Sequence, residues 1–187
     1  MMEQRKIAVI IGSLRKGSFN RMMASSMAAL APPSLKLEVV EIGALTLYNQ
    51  DLDGDPPAEW VEFRKKVKEC DGVLFFTPEY NRSMSGAMKN AIDIGSRPYG
   101  HSVWDGKPAG VVSVSAGPLG GFGANHHLRQ SLVVLNVPAM PQPEAYFANA
   151  QAIFDKEGKL ADEQAKKAAE KFLLAFEKWV EKNLNRG

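Results

Sequence analysis

Lys6-Ile-Ala-Val-Ile-Ile11 runs directly into Gly12-Ser-Leu-Arg-Lys-Gly-Ser-Phe-Asn20. A short, unbroken apolar run suits a strand buried on both faces, as in a parallel sheet. Beyond the polar turn, Phe19, Met22, Met23, Met27 and Leu30 recur at helical spacing, and Pro32-Pro33 ends that helix. The three methionines are read as core-facing. The opening is therefore strand, loop, helix, and the same alternation continues along the chain. Leu35 to Ile42 alternates apolar and charged residues, predicting a second strand nearer an edge, and Asn49 to Pro57 reads as a loop. Trp60, Phe63, Val67 and Cys70 share one face of a helix over 59–70. Gly72 to Thr77 is a third strand stopped by Pro78, and Met84, Ala87, Met88, Ala91 and Ile92 mark a helix closed by Gly95. Ala109 to Val114 is a fourth strand, Leu128, Leu132 and Leu135 a helix, and a fifth strand falls within 137–148. A last helix over 161–184 carries Ala165, Ala168, Ala169, Phe172, Phe176 and Val180 on one face, with the charges of Lys156 to Lys171 solvated.

Alternating strands and helices imply a parallel sheet with helices on both faces. Five such strands most often take the order 2-1-3-4-5, with ligands at the carboxyl ends of strands 1, 3 and 4. The loops after Ile11, Thr77 and Ser115 are thus the places to look for chemistry.

Composition narrows the classes. The chain has 187 residues, 45% hydrophobic and 24% charged, the balance of a globular domain with a sizeable core. No repeat or composition shift marks a second domain, so residues 1–187 are read as one. Lys+Arg 23 against Asp+Glu 21 gives +2, so bulk charge offers no argument for nucleic-acid or membrane binding. The apolar run at Ile7–Ile11 is too short for a signal peptide or a spanning helix, and a reduced, cytoplasmic protein is expected. Cys70, the single cysteine, has no intramolecular disulfide partner and reads as buried and inert. His126 and His127 point about 100° apart on a helix, poor geometry for one metal ion, so a surface or subunit-contact role is preferred and no metal site is expected.

In the first loop, backbone N–H groups at a helix start attract anions, and Ser13, Ser18, Asn20 and Arg15 add donors and a cation. G-x-G-x-x-G fails at Leu14, and the P-loop pattern fails because Ser18 and Phe19 follow Gly17 in place of Lys and Ser/Thr. A terminal monophosphate fits better than a triphosphate; an ordinary turn with Ser18 as N-cap is the plain alternative. In the second loop, Thr77-Pro-Glu-Tyr-Asn-Arg-Ser-Met-Ser-Gly86, Pro78 stiffens the chain. Tyr80 and Asn81 then read either as a surface for a planar heterocycle or as packing and turn residues. Ser115 to Gly123 holds four glycines from Gly117 onward, allowing close backbone approach to a ligand or, alternatively, a flexible linker.

Gly12-Ser-x-Arg-x-x-Ser-x-Asn20, Pro78-Glu-Tyr-Asn81, then Ser83, Gly86 and Lys89-Asn-Ala-Ile-Asp93 together resemble the NADPH-dependent FMN reductase family, over about 6–144. The resemblance implies a flavodoxin-like three-layer α/β sandwich. It implies FMN with phosphate on Ser13, Arg15, Ser18 and Asn20, and Phe19 among the contacting residues. Pro78, Glu79, Tyr80 and Asn81 would border the isoalloxazine, with Ser115 and Gly117 closing its other side. It further implies ping-pong transfer from NADPH or NADH to a small-molecule acceptor such as a quinone, chromate or another metal oxyanion. Chemistry resides on the flavin, so no catalytic side chain is expected. A homodimer or homotetramer is implied, with Glu144 near a subunit contact. Arg82 and Ser85 stand where relatives often carry an aromatic residue or His, and a Pro. Arg82 reads equally as a substrate or anion contact and as an exposed loop arginine. A flavodoxin-type electron carrier is the alternative function, disfavoured by the near-neutral charge.

Overall fold

The computed structural model describes residues 4–184; the remainder of the expected 1–187 domain lies outside the described residues. In chain order the elements are β1 (Arg5–Ile11), α1 (Phe19–Leu30), β2 (Leu35–Val39), a 3-10 turn (Gln50–Leu52), α2 (Ala58–Lys68) and β3 (Gly72–Thr77). They continue with α3 (Gly86–Gly95), β4 (Ala109–Val114), α4 (Phe122–Val134), β5 (Ala145–Phe147), α5 (Ala150–Ile153) and α6 (Glu163–Leu184). The strands form one parallel sheet in the order β2-β1-β3-β4-β5, as the alternation predicts.

Period-2 alternation sorts the side chains of each central strand between two cores. Ile7, Val9 and Ile11 of β1, with Leu74 and Phe76 of β3, pack under α1 and α6 against Met23, Met27, Phe172 and Phe176. Ala8 and Ile10, with Val73 and Phe75, face α2, α3 and α4, where Trp60, Met88, Trp104 and Leu128 fill the space. Each large apolar side chain removed from water stabilises the fold by roughly 1.5–3 kcal/mol.

Differences from the sequence reading have local causes. The second strand ends at Val39, not Ile42; Val40 and Ile42 instead turn into the core beside Trp60. β5 is only three residues, because Pro138, Pro141 and Pro143 cannot donate to a ladder. α3 starts at Gly86, leaving Met84 outside, because the Ser85 hydroxyl accepts from Met88 N at 3.1 Å and caps the helix. α6 starts at Glu163, since the Asp162 carboxylate accepts from Ala165 N at 2.7 Å. Ala168 is exposed and Leu173 buried, shifting the apolar face of α6 by part of a turn. Met22 is only half-buried; Met23 and Met27 alone of that trio reach the core. The four-residue α5 has no counterpart in the sequence reading. Among the described residues no helix is long and apolar enough to cross a membrane.

Candidate functional site

The carboxyl ends of β1, β3 and β4 release their loops at one edge of the sheet. Gly12, the first residue past β1, donates its N–H to Phe76 O at 2.9 Å, and its carbonyl accepts from Ser85 Oγ at 2.6 Å. A Cβ at residue 12 would sit 3.0 Å from Ser85 Oγ and 3.1 Å from Pro78 Cδ, so glycine is what lets the first two loops touch. Ser85, absent from the sequence reading as a site residue, thus ties the loops together. Its signal was a serine three residues before Met88 at a helix start.

Ser13, Ser18 and Asn20 are all buried. Ser18 is the N-cap of α1, its Oγ accepting from Arg21 N at 3.2 Å, which leaves the hydroxyl proton to donate elsewhere. Asn20 Nδ2 donates to Val114 O at 3.2 Å, joining the start of α1 to the end of β4, while its Oδ1 is buried with no partner among the described residues. An unpaired buried acceptor is costly. Arg15 is exposed and has no ion pair among the described residues. Phe19 is partly buried, its ring stacked on Phe154 at 6.1 Å.

In the second loop, Pro78 is buried and Tyr80 half-exposed. Tyr80 and Ser83 exchange backbone hydrogen bonds of 2.9 and 3.0 Å around Asn81 (φ 51°) and Arg82 (φ 65°), a tight reversal with both central residues left-handed. Asn accepts that conformation readily; Arg does so only where the surroundings impose it. Glu79 Oε1 holds Arg82 Nη1 at 3.2 Å, and Glu79 Oε2 accepts from Ala124 N at 3.2 Å. The Glu79 carboxylate is therefore committed to Arg82 and α4.

In the third loop Ser115 Oγ accepts from Gly117 N at 3.1 Å, and Ser115 O and Gly117 O accept from Ala150 and Asn149 N. Gly120 and Gly121 take φ of 59° and 77°, so these glycines form a defined bend rather than a loose linker. A concavity of about 400 Å³ opens between the first two loops, lined by Gly12, Leu14, Arg15, Tyr80, Gly86 and Ala87. Of the residues expected to hold the cofactor, Arg15 and Tyr80 line it; Ser13, Ser18, Phe19, Asn20, Pro78, Glu79, Asn81, Ser115 and Gly117 do not. A groove of about 520 Å³ runs along α1; it shares only Lys16 and Ser18 with the first loop and touches neither of the others.

His126 and His127 diverge as expected, Nε2 of the former 3.0 Å from Tyr146 Oη and Nδ1 of the latter 2.9 Å from Ser83 Oγ. Glu144 lies 4.0 Å from His126. Burial, then the neighbouring Glu144, pushes the Tyr146 phenol up to about 12. Cys70 lies at the opposite end of the sheet, buried, and desolvation pushes its thiol up.

A doubly wound sheet of this order, with an anion-ready first loop at its switch point, is the flavodoxin-like architecture. Residues 5–152 match the family model described as NADPH-dependent FMN reductase. The chain is 52% identical over 184 residues to a quinone reductase of Pseudomonas putida, covering 98% of each chain. It is 42% identical over 175 residues to a 2-hydroxy-1,4-benzoquinone reductase of Burkholderia, covering 94% of this chain and 96% of that one. Among solved structures, the flavoenzyme NAD(P)H:(acceptor) oxidoreductase FerB of Paracoccus denitrificans superposes with a TM-score of 0.90 at 38% identity, covering 96% and 98% of the two chains. The chain belongs to the NADPH-dependent FMN reductase family. It is an oxidoreductase that works with FMN and a reduced nicotinamide nucleotide as electron donor.

Proposed function

We propose that this protein reduces quinones by ping-pong turnover, NADPH or NADH and the acceptor occupying the same open cavity in turn. The FMN phosphate is assigned to Ser13, Arg15, Ser18 and Asn20 at the start of α1, with Phe19 holding that turn through Phe154. Pro78, Tyr80, Asn81 and the Glu79 backbone border the ring system, and Ser115 and Gly117 approach its other side. The observation that carries this reading is the convergence of unspent buried polar groups at one helix N-terminus: the hydroxyls of Ser13 and Ser18 and the orphaned Asn20 Oδ1. The hydroxyls suit a phosphate, and the amide oxygen suits a ligand hydroxyl. Bound FMN supplies the hydride-accepting centre, and the protein supplies position and electrostatics.

The acceptor follows from the rim. Leu14 and Tyr80 present exposed apolar surface at the cavity and Arg15 lines it with an exposed cation, while the 74% exposed Arg82, two residues past Tyr80, is paired with Glu79. That combination suits a flat, electron-poor ring with carbonyl or ionised oxygens, and relatives named quinone reductase and 2-hydroxy-1,4-benzoquinone reductase support it. Chromate and other metal oxyanions are acceptors of the same charge class. Association into dimers or tetramers is supported by the exposed apolar Val133 and Val134 on α4. The test is anaerobic NADPH addition to the FMN-loaded protein followed by initial rates at several quinone concentrations. Bleaching of the flavin bands and parallel double-reciprocal lines are expected; intersecting lines refute the shared cavity. Arg82→Ala with unchanged Michaelis constants for NADPH and anionic acceptors removes Arg82 from the scheme.

A further inference from the structure

The geometry points to Glu79 as a positioning residue that sets the spacing of the second and third loops by capping α4 from a distance. The N-cap of α4 is Gly121, which has no side chain to satisfy the free N–H groups of the first turn. Glu79 Oε2 accepts from one of them, Ala124 N, at 3.2 Å across 45 residues of sequence. The same carboxylate holds Arg82 Nη1 through Oε1 at 3.2 Å, and its side chain is only 11% exposed. One side chain therefore fastens both the left-handed turn at Asn81-Arg82 and the amino end of α4.

Shape supports the contact as strongly as charge. A Cβ at Gly123 would lie 2.7 Å from Arg82 O and 3.1 Å from Glu79 Oε2. The closer of these atoms is backbone, which cannot swing aside as a side chain does. Gly123 has no positive φ, so its lack of a side chain serves this approach rather than a turn. His127 Nδ1, 2.9 Å from Ser83 Oγ, closes a second clasp one residue past the turn. The inference rests on the proposed placement of the FMN ring against Pro78 to Asn81 on one side and Ser115 and Gly117 on the other. If both loops border the ring, the Glu79 carboxylate fixes how far apart they stand without touching it.

Two perturbations reach the contact from opposite sides. Glu79→Ala deletes the carboxylate and leaves Ala124 N–H and Arg82 unpaired. Gly123→Ala keeps the carboxylate and wedges the loops apart. Glu79→Gln retains an amide oxygen for Ala124 N–H and loses the charge toward Arg82. The dissociation constant for FMN is measured by quenching of its fluorescence, with the visible spectrum of the bound flavin and the melting temperature of each FMN-free variant alongside. Loss of a bond to a charged group weakens FMN binding by about tenfold in Glu79→Ala, and the displaced loops weaken it by a similar factor in Gly123→Ala. The bound flavin spectrum shifts in both, and Glu79→Gln falls between them and the wild type. Residue 123 lies in α4, where Ala is intrinsically favoured over Gly, so the backbone preference there does not itself unfold the variant. A Gly123→Ala protein that melts near wild type yet binds FMN poorly separates positioning from folding, and this variant decides the matter should Glu79→Ala not fold. Binding within about threefold of wild type in both variants, or in Gly123→Ala alone if the other is unfolded, overturns the inference and leaves the cofactor placement standing. A wild-type protein that binds no FMN refutes the placement itself, and the inference with it.

Discussion

Replacing Ser18 by Asp separates the two tasks assigned to that residue. Ser18 caps α1, its Oγ accepting from Arg21 N at 3.2 Å, and it is buried where the FMN phosphate is placed. Asp is as good an N-cap as Ser and is favoured by the helix dipole by about 0.3–1 kcal/mol, so the FMN-free protein keeps its stability. The change in its melting temperature stays within roughly 2–4 °C, the equivalent of about 1 kcal/mol for a chain of this size. Binding behaves differently. A carboxylate about 4 Å from a phosphate charge at an effective dielectric of about 20 costs roughly 4 kcal/mol, or about a thousandfold in the dissociation constant. Ser18→Ala gives the reverse profile: about 1 kcal/mol of cap lost from the free protein and a smaller, roughly tenfold loss of FMN affinity. The assay is fluorescence titration with FMN and, as a control, riboflavin, which lacks the phosphate and whose affinity Ser18→Asp leaves nearly unchanged. Ser18→Asp protein that binds FMN as tightly as wild type refutes the placement of the phosphate at the start of α1.

Two further predictions concern the frame around the site. Gly95→Ala places a Cβ 2.4–2.6 Å from the Trp104 indole, which is pinned by its Nε1 donating to Ile92 O at 3.0 Å and by Phe63 and Phe75. Urea unfolding should show a loss of about 1–3 kcal/mol; a gain of the kind Ala brings to an open helix position would contradict the packing. Burial and the neighbouring Glu144 keep the proton on Tyr146 in the folded protein to about 12, whereas an unfolded tyrosine releases it near 10. The native state then binds more protons, so stability is intact below about 10 and falls as pH rises toward about 12. Tyr146→Phe should remove that part of the alkaline slope in unfolding titrations. A Tyr146 that ionises near 10 in an absorbance titration would contradict its shielded position.

Strands β3 and β4 have the bounds expected from the apolar runs at 72–77 and 109–114, because Pro78 and the polar residues beyond Val114 end each run abruptly. The sheet order follows from strand–helix alternation, and the three loops at its carboxyl end follow from the order. Where signals are weaker the reading slips. Prolines shorten β5, the hydroxyl of Ser85 moves the start of α3, and Ala168 yields to Leu173 on α6. Of the site, the residues that carry hydrogen-bonding groups to the start of α1 stand within nine positions of one another, and their types and spacing announce an anion site. The direction of the Glu79 carboxylate does not follow from its neighbours, because its two partners lie three and 45 residues away. Sequence alone determined the architecture, the three loops and the capped turn that opens α1, since periodicity, capping and loop chemistry are local properties of the chain. Tertiary structure alone decided that Gly12 opens a path for Ser85 and Pro78, that Asn20 reaches Val114, and that Gly123 admits the turn Glu79 holds. Those contacts depend on how closely packed elements approach one another in space, a distance that no spacing along the chain encodes.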